Sequence, residues 1–275
     1  MRLGLSSYTY TWAVGVPGFP PERPLSAGDL LDRAAHLGVP VVQFADNLPL
    51  HSRSTDIGGL ARRARAGGVD IEVGTNGIDS DHLLRYLEIA VAVGSPLLRI
   101  VVDTADHHPG AAEVVDRLGA LRDQFASAGV TLAIENHDRF PATELAGIVG
   151  ALGADWTGVV LDTVNSFGAL EGPDVVIRTL APLAVNVHVK DFVITRPAHR
   201  MGFTVEGCPA GRGRLDIPAL FATIRRYRPD VTAVLELWTP RQGSLESTID
   251  TERRWAEESV TYLKRLVEPY RNRAV

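Results

Sequence analysis

The stretch VTLAIENHDRF, residues 130–140, begins as a strand with apolar residues on both faces and ends in five consecutive polar groups. Strands apolar on both sides need cover on both sides, as in parallel sheets flanked by helices. The abrupt end in Glu135, Asn136, His137, Asp138 and Arg139 is then either a polar turn or a functional site mounted on a strand end.

Working outward, seven more runs of the same kind recur: RLGLSS (2–7), PVVQF (40–44), DIEVG (70–74), LLRIVVD (97–103), GVVLD (158–162), AVNVHV (184–189) and AVLEL (233–237). With TLAIE (131–135) they make eight. Segments of helical periodicity separate them. SAGDLLDRAAHLG sets Leu30, Leu31, Ala34, Ala35 and Leu37 on one side and stops at Gly38. SDHLLRYLEIAVAVG has Ser80 as a candidate N-cap and Gly94 past its end. AAEVVDRLGALRDQFASAG and RRWAEESVTYLKRLVEPY repeat the pattern. Strand then helix, eight times, predicts an α/β protein built as a single (β/α)8 barrel over residues 1–275. A doubly wound open sheet is the competitor. Against it, the first strand-to-helix turn lacks a glycine-rich phosphate fingerprint. The segment GRGR (211–214) falls in the long connection after the seventh strand and reads as loop.

Composition narrows the class. The chain has 275 residues, 45% hydrophobic and 22% charged, with a net charge of −5. That charge gives no support to nucleic-acid binding. The one cysteine, Cys208, rules out an internal disulfide and fits a reducing compartment. No apolar run reaches the length of a signal peptide or a membrane span. The expectation is a cytoplasmic protein without a membrane partner; self-association stays open.

In a barrel the chemistry lies at the C-terminal ends of the strands. The fifth strand ends at Glu135, the sixth at Asp162, the seventh carries His188 and the eighth Glu236. Alone, each has an ordinary explanation as a salt bridge, a helix cap or a core histidine. Together, four consecutive strands deliver three carboxylates and an imidazole to one rim. Alternation predicts that Ala133 and Thr131 point inward with Glu135, Asn186 and Ala184 with His188, and Val234 with Glu236. Three carboxylates without a cation would repel and force one to take up a proton. A divalent metal removes that cost. Three oxygens and one nitrogen with open positions suit Mn²⁺ or Mg²⁺, with Co²⁺ also admissible, rather than a closed structural zinc site.

The motifs AIENH, VLDTVNS, VHVKD and LELW, in this order on strands five to eight, resemble the xylose isomerase-like sugar isomerase and epimerase superfamily. The segment GRGRLDIPALF is also typical of it, and the resemblance covers essentially the whole chain. It implies that Glu135, Asp162, His188 and Glu236 bind one divalent metal, which holds two neighbouring oxygens of a small keto sugar. Glu135 and Glu236 are then the groups that move a proton at carbon.

The chain departs from the ketose 3-epimerases of that superfamily at two positions. Asn165 stands where they carry a histidine, and Pro141 where they carry a second glutamate. It offers instead His137 and Lys190, each two residues past a ligand and on the same face. A lysine there can hold a carboxylate or an enediolate, and His137 is a candidate proton donor or acceptor. The longer set SYTYTWAVGVPG, ADNLPL, ENHDRF, LDTVNSFGALEGP, HVKDF and MGFTVEGCPAGRGRLD resembles the 3-oxo-isoapionate decarboxylases, which implies decarboxylation of a 3-oxo sugar acid. The alternatives are a sugar isomerase or ketose 3-epimerase, and the catalytic subunit of a C-glycoside deglycosidase. The last shares the ENH triplet and would imply a small β-rich partner subunit.

Tyr8, Tyr10 and Trp12 after the first strand are candidates for a sugar pocket, as are Asn165, Arg139 and Trp238. The long segment after the seventh strand reads as a loop over the site, with Arg196, Arg200 and Glu206 as candidate substrate contacts. Two readings from other classes remain: a DNA-repair endonuclease on the same barrel and a non-catalytic sugar-binding barrel. A nuclease of this type needs several metals, and the ends of strands two to four are thin in ligands. Only Asp103, Asp106, His107 and His108 stand there.

Overall fold

The computed structural model describes residues 1–51 and 55–267. Strand β1 (Arg2–Ser6) leads through a 3-10 turn (Ser7–Tyr10) into the single helical turn α1 (Thr11–Val14) and helix α2 (Ala27–Leu37). Then follow β2 (Val41–Phe44), α3 (Ile57–Ala66), β3 (Asp70–Asn76), α4 (Ser80–Val93) and β4 (Leu97–Val101). Helices α5 (Ala111–Gly119) and α6 (Arg122–Ala128) precede β5 (Thr131–Glu135), α7 (Ala142–Leu152), β6 (Thr157–Asp162) and α8 (Pro173–Leu180). Strand β7 (Ala184–Val189) is followed by β8 (Asp191–Thr195), β9 (Thr204–Cys208), α9 (Ile217–Tyr227), β10 (Thr232–Leu235) and α10 (Leu245–Val267). Eight of the strands close into a parallel barrel in the order β1-β10-β7-β6-β5-β4-β3-β2. All eight strands of the sequence reading are therefore in the barrel.

The helices begin and end where local chemistry puts them. Ser26 caps α2 in a reciprocal box with Asp29, and Gly38 closes it at a φ of 60°. At α4 the cap lies one residue earlier than expected: Asp79, not Ser80, accepts from His82 N. The continuous helix expected over 111–129 is broken, with Leu121 at ψ 2° between α5 and α6. The end of the last expected helix, beyond 267, lies outside the described residues.

Inside the barrel the register aligns Gly74 with Arg99, Arg99 with Ala133, and Ala133 with Gly158. Small neighbours leave room for one large inward side chain. A Cβ on Gly74 would stand 3.1 Å from Arg99 Cδ. Between β6 and β7 the register slips at Val159/Val160, so Val159 faces Ala184 while Val160 faces Asn186. Val185 is the extra residue. It turns inward and packs with Leu97, Ala133 and Val160. This corrects the expected alternation: Ala184 belongs to the outer core between barrel and helices. Gly158 makes the slip feasible, since a Cβ there would meet Val185 Cγ1 at 2.4 Å.

The segment after β7 is not an irregular loop. Strands β8 and β9 pair antiparallel as a ribbon, from Asp191 with Cys208 to Thr195 with Thr204. The ribbon's base is tied to the GRGR loop by buried Asp191. Its Oδ1 accepts from Phe192 N (2.8 Å) and Leu215 N (3.0 Å), and its Oδ2 from Gly211 N and Gly213 N (both 2.9 Å). Gly213 has no space for a Cβ, which would lie 2.1 Å from Asp191 Oδ1.

Candidate active site

Glu135 ends β5, Asp162 ends β6, His188 lies on β7, and Glu236 follows directly after β10. All four are buried. His188 Nδ1 is 3.2 Å from Glu135 Oε2, 3.4 Å from Glu236 Oε1 and 3.8 Å from Asp162 Oδ2. The ligand atoms of Glu135, Asp162 and His188 lie within 4.8 Å of one another. Among the described residues they form the one such group.

Two cations share this floor. Arg99 Nε donates to Glu135 Oε2 at 2.5 Å and its Nη1 to Asp46 Oδ1 at 3.0 Å. Lys190 Nζ stands 2.8 Å from both Asp162 Oδ2 and Glu236 Oε2. Burial alone would raise the Glu135 carboxyl, but Arg99, His188 and Lys190 hold it well below the usual carboxylate range. Burial opposes the charge of Lys190 as well, yet Asp162, Glu236 and Glu135 outweigh it and raise the lysine. Both groups are therefore ionised at neutral pH.

The residues present fit a divalent cation. Two buried atoms, His188 Nδ1 and Glu236 Oε1, have no hydrogen-bond partner, and Asp162 Oδ2 beside them meets only the ammonium of Lys190. Such atoms are costly when left unpaired. Counting Asp46, four carboxylates face two fixed cations, Arg99 and Lys190, so negative charge is left over. A cation among these three atoms satisfies both conditions.

Above the floor a cavity of about 580 Å³ opens at the barrel's C-terminal end. Tyr8, Trp12, Asn165, His137, Lys190 and Trp238 line it together with Glu135 and Glu236. Asn165 ties two of them together: its Nδ2 donates to Glu135 Oε1 at 2.8 Å, and its Oδ1 accepts from Lys190 Nζ at 3.2 Å. His137 is 38% exposed and stands 3.2 Å from its neighbour Asp138.

Three expected contacts lie elsewhere. Tyr10 turns into the core, 1% exposed, with the Arg33 guanidinium 4.4 Å above its ring. Arg139 grips Asp103 with two hydrogen bonds (3.0 and 2.6 Å) and stacks over Phe140. Glu206 is exposed on β9, opposite Val193. In the ribbon Arg196 stacks on Phe203 and donates to Arg200 O, so both arginines serve the ribbon's tip.

Sequence reading missed Arg99 and Asp46. The signal for Arg99 was an arginine inside an otherwise apolar strand, LLRIV. It also missed the role of Asn136, whose Oδ1 accepts from Asp162 N (2.8 Å) while its Nδ2 donates to Asp162 O (2.9 Å). That pair fixes the backbone of Asp162.

A closed barrel with a carboxylate–imidazole cluster on strands five to eight defines a class, and the chain belongs to it. Residues 31–266 match the family model described as xylose isomerase-like TIM barrel, and the protein is a member of that family. It is 33% identical over 277 residues to a 3-oxo-isoapionate decarboxylase of Pectobacterium atrosepticum, covering 100% of this chain and 98% of that protein. Among solved structures it is similar to a D-psicose 3-epimerase from Clostridium cellulolyticum in complex with D-tagatose. That likeness has a TM-score of 0.71 at 15% identity, over 97% of this chain and 99% of that one. A xylose isomerase-like TIM barrel protein from Mycobacterium smegmatis in complex with magnesium matches with a TM-score of 0.67 at 12% identity, over 97% of both chains. No described helix is long and apolar enough to cross a membrane.

Proposed function

We propose that this sugar-modifying TIM-barrel enzyme decarboxylates a 3-oxo sugar acid. A divalent ion, Mn²⁺ or Mg²⁺ by donor type, would be held by Glu135, Asp162, His188 and Glu236. Bound there, it supplies Lewis-acid stabilisation to negative charge that develops on a substrate oxygen.

The observation that carries this reading is the state of Glu135. Epimerisation through an enediolate removes a proton from one face of a carbon and returns one to the other, which calls for two carboxylates that exchange protons. Both oxygens of Glu135 are occupied, one by Arg99 at 2.5 Å and one by Asn165 at 2.8 Å. An anion fixed in this way is a poor proton carrier. Decarboxylation needs no base: the carbon–carboxylate bond breaks, CO₂ leaves, and the electron pair passes into the neighbouring ketone as an enolate. One proton must then reach carbon. In this reading His137, which lines the cavity, delivers it directly or through water. Lys190 offers the cationic atom for the leaving carboxylate or the developing enolate. The similarity to the decarboxylase from Pectobacterium supports the same reaction.

The test is turnover of a 3-oxo sugar acid in D₂O. The expected result is one CO₂ released and one non-exchangeable deuterium in each product molecule. Interconversion of ketoses at C3 with no CO₂ would replace this reading with that of an epimerase.

A further inference from the structure

Beneath the candidate metal site a second polar group runs into the barrel, and no step of the proposed reaction uses it. His188 Nε2 lies 2.7 Å from Gln43 Oε1 on β2, across the barrel interior from β7. Gln43 Nε2 donates to Glu72 Oε2 on β3 at 3.0 Å. Asn186 Nδ2 donates to the same oxygen at 2.8 Å. All four side chains are 3% exposed or less. A buried carboxyl is costly to ionise unless hydrogen-bonded; burial pushes Glu72 up, and its hydrogen bonds with Thr232, Gln43 and Asn186 pull it back down.

The donor and acceptor roles in this chain can be worked out from one end. Glu72 receives hydrogen bonds from Gln43, Asn186 and the Thr232 hydroxyl, so it acts as an acceptor. Gln43 must then turn its amide nitrogen toward Glu72, which leaves its carbonyl oxygen facing His188. An oxygen there accepts only from a protonated Nε2. The imidazole therefore carries a proton on Nε2 and turns Nδ1 toward the three carboxylates above, where a bound metal would take the place of a second proton. Reversing the Gln43 amide would set its carbonyl oxygen against Glu72 Oε2, two acceptors at 3.0 Å.

We propose that Gln43 and Glu72 are positioning residues for the metal site: the carboxylate fixes the glutamine, and the glutamine fixes the tautomer and ring orientation of His188. The inference rests on the metal reading above and extends it to two residues on other strands. Metal-ligating histidines depend on such partners, whose loss costs about tenfold to a hundredfold in metal affinity.

The experiment measures Mn²⁺ affinity by electron paramagnetic resonance of free Mn²⁺, together with ¹⁵N spectra of histidine-labelled, Mg²⁺-loaded protein. Wild type should bind one Mn²⁺ per chain and show a proton on one His188 nitrogen only. Failure of wild type to bind sinks the metal reading and this inference with it. With wild-type binding in hand, Gln43→Leu should weaken Mn²⁺ binding about tenfold or more and change the His188 signature, with the barrel still folded by circular dichroism. The double variant Gln43→Glu with Glu72→Gln reverses the amide and the carboxylate while keeping an acceptor for Nε2. It should return affinity to within a few-fold of wild type, whereas Gln43→Glu alone sets two carboxylates together and should not. A folded Gln43→Leu with wild-type affinity and an unchanged His188 signature overturns the positioning role and leaves the metal reading intact. If Gln43→Leu does not fold, a folded double variant decides alone: wild-type affinity supports the role, and its loss overturns it.

Discussion

Lys190 reaches the cavity with its charge already divided between Asp162 and Glu236 at 2.8 Å each. Its Nζ is itself buried and lies 5.9 Å from the ring of Trp238, which lines the pocket. A charged contact made in so dry a place is worth about 3 kcal/mol to a transition state that gains negative charge. Lys190→Met should therefore lower kcat by roughly a hundredfold or more, while the protein stays folded. Wild-type turnover in that variant would remove the decarboxylase assignment and leave the metal-dependent barrel. At His188 the expectation differs in kind. His188→Ala deletes the orphaned Nδ1, so metal content by atomic emission and activity should fall together, with the fold intact by circular dichroism. A fully metallated His188→Ala protein would show that the carboxylates suffice. His137 separates from both. It touches none of the ligands, so His137→Ala should slow product formation and keep the metal.

At the scale of elements, Gly158 and the slipped register between β6 and β7 belong together. The inward Val185 fills the space that a Cβ on Gly158 would need, at 2.4 Å. Gly158→Ala should cost about 1–3 kcal/mol, read as a fall in the urea midpoint, because a packed interior absorbs an added methyl poorly. Val185→Ala in the same chain should recover much of that loss. Equal midpoints for wild type and Gly158→Ala would mean that β7 shifts without cost. This slip also marks where sequence stops being informative. Strands were legible because covered parallel strands are continuous apolar runs, and the four candidate ligands because they stand at or next to the ends of those runs. Alternation was then extrapolated down β7 and failed at Ala184, since a one-residue slip depends on a glycine in the neighbouring strand. The ribbon was invisible for a related reason. Buried only at its base, it carries Ile194 and Val205 exposed in its outer half, so no period-two pattern announces its strands. Arg99, Gln43 and Glu72 escaped because a polar residue inside an apolar strand acquires a partner only when the barrel closes and brings β2, β3, β4, β5 and β7 around one interior.

The whole molecule adds a dependence on pH that originates away from the ligands. Glu252 on α10 is buried, and its two oxygens accept from Trp12 N (2.9 Å) and Ala13 N (3.1 Å). It thereby fastens α10 to the α1 turn that presents Trp12 to the cavity, while Trp12 Nε1 donates to Thr239 O at 2.8 Å. Burial pushes the Glu252 carboxyl up from 4.5 to about 7, against the two backbone N–H donors and Arg33, which pull it down. A group whose folded value is raised binds more protons in the folded than in the unfolded chain between the two values, so stability falls as pH rises through that window. Below about 4.5 both states hold the proton and the contribution is fully present; above about 7 both have lost it and the contribution is gone. The shift corresponds to about 3 kcal/mol at 1.36 kcal/mol per unit. Carboxylates that the fold lowers, such as Glu135, Asp29 and Asp103, act in the opposite sense and at lower pH, where they are lost as pH falls. The two effects therefore occupy different windows. Glu252→Gln removes the titration while keeping the side chain's size and one acceptor oxygen. Urea denaturation at pH 5, 6, 7 and 8 should show the stability difference between wild type and Glu252→Gln moving by about 2.5 kcal/mol against wild type across that range. Parallel profiles for the two proteins would mean that the Glu252 carboxyl ionises alike in the folded and unfolded chains, and that the N–H groups of Trp12 and Ala13 offset its burial.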